Sequence, residues 1–174
     1  MREIPLTQSK VALVDDRLYE RLSRLKWYAM DNKNTFYAVR KIRIGEKRTI
    51  EMMHRAILNL SHGDGKITDH KNRNGLDNRG DNLRIVPQSI NMANSKLNRK
   101  NTSGFRGVSW VERLKKWKAY IYNGQKQIYL GLYPTLLSAA LAYDSAAINH
   151  WGVDAPLNIP VERSPEFSVI SRGI

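Results

Sequence analysis

The stretch from Ile67 to Asn91 most constrains how this chain can fold, because it is polar and cannot build a hydrophobic core. It reads ITDHKNRNGLDNRGDNLRIVPQSIN, with turn-forming glycines at positions 75 and 80. A carboxylate, an imidazole and two amides stand at Asp69, His70, Asn82 and Asn91. Carboxylate and amide oxygens are hard ligands for Mg²⁺ or a similar ion, and a neighbouring histidine can act as a base. The stretch therefore predicts a chemical site.

The pattern around these polar residues predicts a strand, a loop, a second strand and a helix. Ile67 and Thr68 end a strand that leads into Asp69 and His70, and residues 83–86 return as the second strand. Proline at position 87 suits the start of a helix over 88–95, which carries Asn91. A strand end and a helix packed on it can meet, so Asp69 and Asn91 can share one ion although 22 positions separate them.

The formal charge of +13 is the strongest compositional feature of the 174-residue chain. A compact protein bears such self-repulsion most readily when an anionic partner neutralises it. The charge is uneven, because residues 95–131 hold nine basic residues against one acid, a local balance of +8. We therefore expect a nucleic acid as the partner.

Two absences narrow the functional classes further. Cysteine is absent, which excludes disulfides, thiolate chemistry and a cysteine-based zinc site, so a metal must be held by oxygen or imidazole. No apolar run is long enough to serve as a secretory signal or to span a bilayer. These features predict a soluble protein with a cytoplasmic location and no membrane contact.

Residues 1–60 predict a small unit of mixed helix and strand. Residues 11–14 form a strand, Asp15 or Asp16 caps a helix that runs to about Lys26, and 36–44 and 48–52 form a hairpin. A short helix over 53–60 carries His54 and Arg55, two candidate supporting residues of the site. For His54, packing beneath the polar loop and contact with DNA are both open. The same choice, buttress or DNA contact, is open for the basic hairpin residues Arg40, Lys41, Arg43 and Lys47.

Residues 104–160 contain three β-rich runs separated by short polar turns. The runs are 105–111, 117–122 and 127–132, and Asn123-Gly124 is a strong hairpin signal. Short connections force an antiparallel sheet, and Thr135 or Ser138 can cap a following alanine-rich helix that Gly152 ends. The residues expected to face this helix are Val108, Ala119, Ile121, Ile128 and Leu130. The residues expected to face outward are Arg106, Ser109 or Trp110, Lys118, Tyr120, Tyr122, Gln127 and Tyr129.

A basic and aromatic sheet face is typical of a nucleic-acid surface, since a sheet can enter the major groove. The patterns together predict an α+β chain of two domains. The first, 1–94, joins the N-terminal unit to the polar site, whose core is 52–94, and a basic linker follows over 95–103. The second, 104–160, is the three-stranded sheet with its helix, and 161–174 form a tail.

The motif in the polar stretch resembles the H-N-N form of the HNH endonucleases found in phage and intron-encoded homing enzymes. The pair Asp69-His70 is followed by asparagine twelve residues after the histidine and again nine residues later, with MHRAIL upstream. The resemblance implies a ββα-metal fold in which Asp69 and Asn91 hold one divalent cation and His70 is the general base. It also implies that Asn82 fixes the loop and orients His70. Many relatives carry a final histidine in place of Asn91, and this departure favours Mg²⁺ or Mn²⁺ over zinc.

The C-terminal segment, from FRGVSW to the alanine-rich helix, resembles the DNA-binding domain first known from plant ethylene-response factors, the APETALA class. The resemblance implies a three-stranded sheet in the major groove with a helix behind it. Carried over by position, the DNA contacts fall on Arg106, Ser109, Trp110, Lys116, Lys118, Tyr120, Tyr122, Gln127 and Tyr129. Several of these replace arginines of the plant pattern, so base preference does not transfer.

The order of the two resemblances matches homing endonucleases in which an HNH nuclease precedes this DNA-binding module. They imply a phage- or bacterium-encoded, site-specific endonuclease that nicks double-stranded DNA as a monomer, with one metal ion per site and no evident protein partner. An alternative is a sequence-specific DNA-binding regulator whose nuclease loop is an inactive scaffold. A third hypothesis is that the chain is an RNA-binding protein, but this hypothesis leaves the polar loop unexplained.

Overall fold

The computed structural model describes residues 1–159, which form four small antiparallel sheets and four α-helices. The chain divides into two compact units, Met1–Lys96 and a second that begins at Leu97. The mixture of helices with antiparallel sheets confirms the coarse fold class predicted from the sequence. Among the described residues, no helix combines the length and the apolar character needed to cross a membrane. The predicted tail, 161–174, lies outside the described residues.

The N-terminal part of the first unit contains two small sheets. Its elements are β1 Arg2–Pro5, β2 Val11–Val14, α1 Asp16–Ser23, β3 Tyr28–Asp31, β4 Phe36–Ile44, β5 Lys47–Met52 and α2 Met53–Ile57. Strand β1 pairs with β2, and β3, β4 and β5 form the second sheet in that order. One core of buried side chains joins them: Ile4, Ala12, Val14, Leu22, Trp27, Ala38 and Met53.

The structure corrects several predictions for this part. The sequence pattern does not predict β1 or β3, because each is four residues long and buries one side chain. Helix α1 ends three residues earlier than predicted, at Ser23, since the Trp27 indole donates to the Leu22 carbonyl oxygen at 2.9 Å and satisfies the helix end. Helix α2 ends at Ile57, and Asn59 then turns the chain with a left-handed φ of 52°.

The polar segment of the first unit forms a hairpin followed by a helix. The elements are β6 Ile67–His70, β7 Leu83–Val86 and α3 Gln88–Ala93. Strands β6 and β7 pair antiparallel with Asp69 opposite Arg84, and α3 packs against both strands. The connection over 71–82 docks on β2, where the Asn78 backbone N–H donates to the Leu13 carbonyl oxygen at 2.8 Å. Strand, loop, strand and helix follow one another in the order expected from the sequence.

The second unit is a three-stranded antiparallel sheet with one long helix against it. Its elements are β8 Val108–Val111, β9 Lys116–Tyr122, β10 Gln127–Tyr133 and α4 Leu136–Trp151, with β9 in the centre of the sheet. The small face of α4 packs on the sheet through Ala139, Ala140 and Ala147. The five sheet residues predicted to face the helix all pack in this core: Val108, Ala119, Ile121, Ile128 and Leu130.

The ends of these elements have identifiable causes. Both candidate caps of α4 act together, because the Thr135 hydroxyl accepts from the Ser138 backbone N–H at 3.1 Å in a capping box. Gly152 ends the helix, as predicted, with φ 62°. Strand β8 begins at Val108 rather than at residue 105, because Gly107 adopts a left-handed φ of 67° just before it.

Candidate active site

The first unit contains a cavity of about 310 Å³ at the end of β6 and along α3. Asp69, His70 and Asn91 all line this cavity, so the structure brings together three of the four residues singled out in the polar stretch. Asn82 is buried in the adjoining loop. The strand end and the helix converge, as the strand–loop–strand–helix pattern requires.

The Asp69 carboxylate is buried and held from two sides. Arg84, its neighbour across the hairpin, donates to Oδ2 through Nε at 2.8 Å and through Nη2 at 2.6 Å. The Asn94 amide nitrogen donates to both carboxylate oxygens at 3.0 Å. A carboxylate with these partners has one orientation, with its charge partly balanced by the guanidinium.

Asn94 is a site residue that the sequence analysis missed, because it lies just beyond the polar stretch that ends at Asn91. Its buried amide nitrogen donates to Asp69 and also to the His70 carbonyl oxygen at 3.0 Å. One side chain therefore holds the carboxylate and the backbone of the next residue. The signal was its spacing, since positions three apart on a helix share a face and Asn94 stands three residues after Asn91.

The His70 imidazole is buried among aromatic rings. The His54 ring lies perpendicular to it at 4.9 Å between centroids, and the Tyr37 ring lies at 5.8 Å. Burial lowers the pKa of His70 from its ordinary value, so the ring is neutral at pH 7. Its Nε2 lies 3.5 Å from Asn78 Oδ1, a long contact that favours a proton on Nε2 and leaves Nδ1 as the acceptor.

His54 packs beneath the polar loop, one of the two interpretations that the sequence left open. Burial, followed by the proximity of His70, lowers the pKa of His54 to about 3. Its Nδ1 is buried and has no hydrogen-bond partner among the described residues. Arg55 lies apart from this cluster and braces the loop before β6, donating to the Ser61 carbonyl oxygen at 2.7 Å and the Lys66 carbonyl oxygen at 2.8 Å.

Asn82 closes the connection between the two strands. Its Oδ1 accepts from the Asn72 backbone N–H at 3.0 Å, and its Nδ2 donates to the Asp77 carbonyl oxygen at 2.7 Å. Its backbone carbonyl oxygen accepts from the Lys71 N–H at 2.9 Å. The polar contact to the His70 ring comes instead from Asn78, a fully buried residue that the motif spacing did not single out.

The side chains that line the cavity can bind a hard cation only through their oxygen atoms. Among residues 1–159, no three His, Asp or Glu side chains lie close enough to hold a metal ion. The Asp69 carboxylate and the Asn91 amide both line the cavity and supply oxygen ligands of the type that Mg²⁺ and Mn²⁺ prefer. Arg84 already balances part of the Asp69 charge, so a cation bound here would share this carboxylate with the guanidinium.

The second unit presents an aromatic-basic face opposite α4. Strand alternation and register place its members on one side of the sheet: Ser109, Lys116, Lys118, Tyr120, Tyr122, Gln127 and Tyr129. Tyr129 is 60% exposed and Tyr122 is 45% exposed, although large aromatic side chains are usually buried. The Lys118 ammonium lies 5.5 Å from the centre of the Tyr120 ring. This face combines cations with rings, which suits phosphates and bases.

The remaining two candidate DNA-binding residues are Trp110 and Arg106, which are not among the members of this face. Of Ser109 and Trp110, it is Ser109 that faces outward, opposite Lys118. Trp110 pairs with Trp117 on the helix side of the sheet, with ring centroids 5.0 Å apart. Arg106 precedes β8, and its backbone N–H donates to Asn158 Oδ1 at 2.7 Å.

Comparison with known proteins finds a family match over one segment of the chain. Residues 51–93 match the family described as HNH endonuclease, and this range contains Asp69, His70, Asn82 and Asn91 but ends one residue before Asn94. The matched range covers β6, β7 and α3, and thus includes the elements that carry Asp69, His70 and Asn91.

Curated proteins similar to this chain include plant proteins, some of them named as transcription factors. APETALA2-like protein 2 of Oryza sativa is 42% identical over 60 residues, which are 34% of this chain and 14% of the relative. AP2-like ethylene-responsive transcription factor TOE2 of Arabidopsis thaliana is 38% identical over 63 residues, 36% of this chain and 13% of the relative. Ethylene-responsive transcription factor ERF069 of Arabidopsis thaliana is 34% identical over 97 residues, 53% of this chain and 58% of the relative. The chain thus spans about a seventh of the first two relatives.

Proposed function

We propose that this chain is a site-specific DNA endonuclease of the homing type, in which residues 1–94 cut, 95–103 link and 104–160 select the site. The observation that carries the proposal is the shared cavity of Asp69, His70 and Asn91 inside the segment that matches the HNH endonuclease family. The similarity to plant proteins named as transcription factors and the aromatic-basic face support DNA as the substrate.

The chemistry is hydrolysis of a phosphodiester by water. Neutral His70 takes the proton of the attacking water. Its buried position beside His54 lowers the pKa of the ring, which is therefore unprotonated and able to accept this proton at pH 7. Asn82 closes the loop that carries His70, while Arg84 and Asn94 orient Asp69. Asp69 and Asn91 would hold one divalent cation, Mg²⁺ or Mn²⁺, which would supply charge stabilisation for the transition state and the leaving 3′ oxygen.

The second unit positions the duplex for this reaction. Tyr120, Tyr122, Gln127 and Tyr129 contact the bases, and Arg106, Lys116 and Lys118 contact the phosphates, while Ser109 lies on the same face. Trp110, which the resemblance also implied as a contact, lies on the helix side of the sheet and is left out of this set. Phosphate contacts fix register and base contacts specify sequence. This face carries tyrosine and glutamine at several positions where the plant pattern has arginine. We therefore expect the preferred DNA sequence of this chain to differ from that of the plant domains.

A single site per chain is expected to cut one strand in each binding event. A duplex site is first selected from random DNA by binding to the chain, and it is then cloned into a supercoiled plasmid. With Mg²⁺, we expect nicked circles to accumulate before any linear product on an agarose gel. Direct conversion to linear plasmid at low enzyme concentration would contradict nicking by a monomer.

Asn94 is expected to act as a positioning residue for Asp69. Loss of a residue that orients a metal ligand typically costs about 10–100-fold in metal affinity or activity, so Asn94→Ala should lower the nicking rate by that factor. The Mg²⁺ concentration for half-maximal rate should rise, and DNA affinity should not change. Asn32→Ala, exposed in the turn after β3, is the control. An Asn94→Ala chain that nicks at the wild-type rate and the wild-type Mg²⁺ requirement would rule out this role.

A second candidate function is a DNA-binding regulator that keeps the nuclease fold as a scaffold. The observation in its favour is that two of the reported curated relatives are named as transcription factors. Against it stands the retention of a carboxylate, a histidine and an asparagine around one cavity. A regulator binds the selected duplex and leaves it intact, so the plasmid experiment separates the two functions.

A further inference from the structure

Strand β4 extends beyond the strand that flanks it. Strand β3 pairs only with residues 36–39, so residues 40–44 of β4 pair with β5 alone. The result is a two-stranded ribbon over residues 40–51, which closes at Gly45 with φ 59°. A two-stranded ribbon has marginal stability by itself, so a bound partner would stabilise it.

The two faces of this ribbon differ. On one face, Arg40 forms an ion pair with Glu51, and Thr49 lies 3.2 Å from His62 Nε2. The opposite face, called here the basic ribbon face, carries three exposed cations: Lys41, Arg43 and Arg48. None of the three forms an ion pair with any residue in 1–159 that the structure describes.

The strand register brings like charges together on this face and so destabilises the ribbon in the free protein. Arg43 lies directly opposite Arg48, and like charges at facing positions destabilise a strand pair. Over residues 40–51 there are five basic and two acidic residues, a balance of +3. An anion bound between the two arginines relieves the repulsion, and arginine binds phosphate through two parallel hydrogen bonds.

We propose that the basic ribbon face is a second DNA-contacting surface, which binds duplex DNA on the unit that also contains the nuclease cavity. The major groove, about 12 Å wide, admits a two-stranded ribbon. Arginine and lysine at the groove reach phosphates and the acceptor edge of guanine. The inference rests on the proposed function, because it takes the duplex to be the substrate of the same unit.

The test compares two variants of the full-length chain with the same loss of charge. The ribbon variant is Lys41→Gln, Arg43→Gln and Arg48→Gln. The control is Arg21→Gln, Arg24→Gln and Lys26→Gln, three exposed cations in and just after α1 of the same unit. Fluorescence anisotropy measures binding to the selected duplex over a range of KCl concentrations, and circular dichroism checks folding.

We expect wild-type affinity to fall with salt with a log–log slope on the order of −7, the value for about eight phosphate contacts. The ribbon variant should bind at least about tenfold more weakly at 0.1 M salt, with a slope flatter by about two to three. The control should stay within about threefold of wild type, with a slope changed by less than about one. The thermal midpoint of the ribbon variant should equal or exceed that of wild type, because the repulsion between residues 43 and 48 is gone.

A ribbon variant with wild-type affinity and slope would overturn the proposal, and so would a control that loses as much as the ribbon variant. A wild-type chain that does not bind the duplex would overturn it as well. Nicking is measured in parallel on the wild type. A chain that binds but does not nick contradicts the proposed nuclease activity, while the comparison of the two variants still decides whether the ribbon binds DNA.

Discussion

We expect His70→Ala to lower the single-turnover nicking rate by about a thousandfold, within the range that general acid–base catalysis supplies. Alanine cannot accept the proton of the attacking water, and no other side chain of the described residues replaces it: the His54 ring beside it has a pKa of about 3 and is enclosed beneath the loop. The ring of His70 lies in the cavity of the first unit, so its loss should leave the affinity for the selected duplex unchanged.

The measurement uses enzyme in excess over an end-labelled duplex, with Mg²⁺ present and binding measured separately. His62→Ala is the control, because His62 is an exposed histidine of the same unit whose side chain lies near Thr49. This control should nick at the wild-type rate. If His70→Ala retained more than about a tenth of the wild-type rate, the assignment of His70 as general base would be wrong, since such catalysis is worth about a hundredfold or more.

The second large effect concerns the stability of the second unit. Gly107→Ala should lower the free energy of unfolding by about 3 kcal/mol or more. The substitution combines left-handed strain of roughly 1–2 kcal/mol with overpacking of about 1–3 kcal/mol. Gly107 has φ 67°, and an added Cβ would overlap the Tyr120 carbonyl oxygen and the Tyr143 ring. The Tyr120 backbone N–H also donates to the Gly107 carbonyl oxygen at 2.8 Å, which fixes the close approach.

Gly104→Ala is a matched control for this prediction. Gly104 has a similar φ of 74°, but an added Cβ would meet nothing within 4 Å. The control should therefore lose only the conformational cost, about 1–2 kcal/mol. Urea unfolding followed by tryptophan fluorescence measures both variants. Equal losses in the two would show that the contact with Tyr120 and Tyr143 is not tight.

The sequence could predict which residues lie together where their positions along the chain decide the geometry. Asp69 and His70 are adjacent, and the helix that carries Asn91 follows a proline at position 87, so spacing alone indicated a shared place. Asn94 and Arg84 could not be assigned in the same way. Their contacts with Asp69 depend on the strand register and on how α3 packs, and both are set by the whole unit.

The fold shows the same division. The face of the second sheet that packs on α4 could be predicted, because alternation along three strands separates buried from exposed positions. Strands β1 and β3 could not, since each has four residues and takes its stability from a neighbouring strand. At the end of α1, the Trp27 indole donates to the Leu22 carbonyl oxygen, a side-chain contact that the pattern of the helix residues does not predict.

Cleavage of DNA by the unit that contains Asp69 and His70 can be measured by incubating the wild-type chain with the selected, end-labelled duplex in Mg²⁺ and in EDTA, followed by a denaturing gel. We expect a single break in one strand with Mg²⁺, with a 3′ hydroxyl and a 5′ phosphate that DNA ligase reseals, and no break in EDTA. A duplex that is bound tightly but stays intact with both Mg²⁺ and Mn²⁺ would show that this chain is not a nuclease.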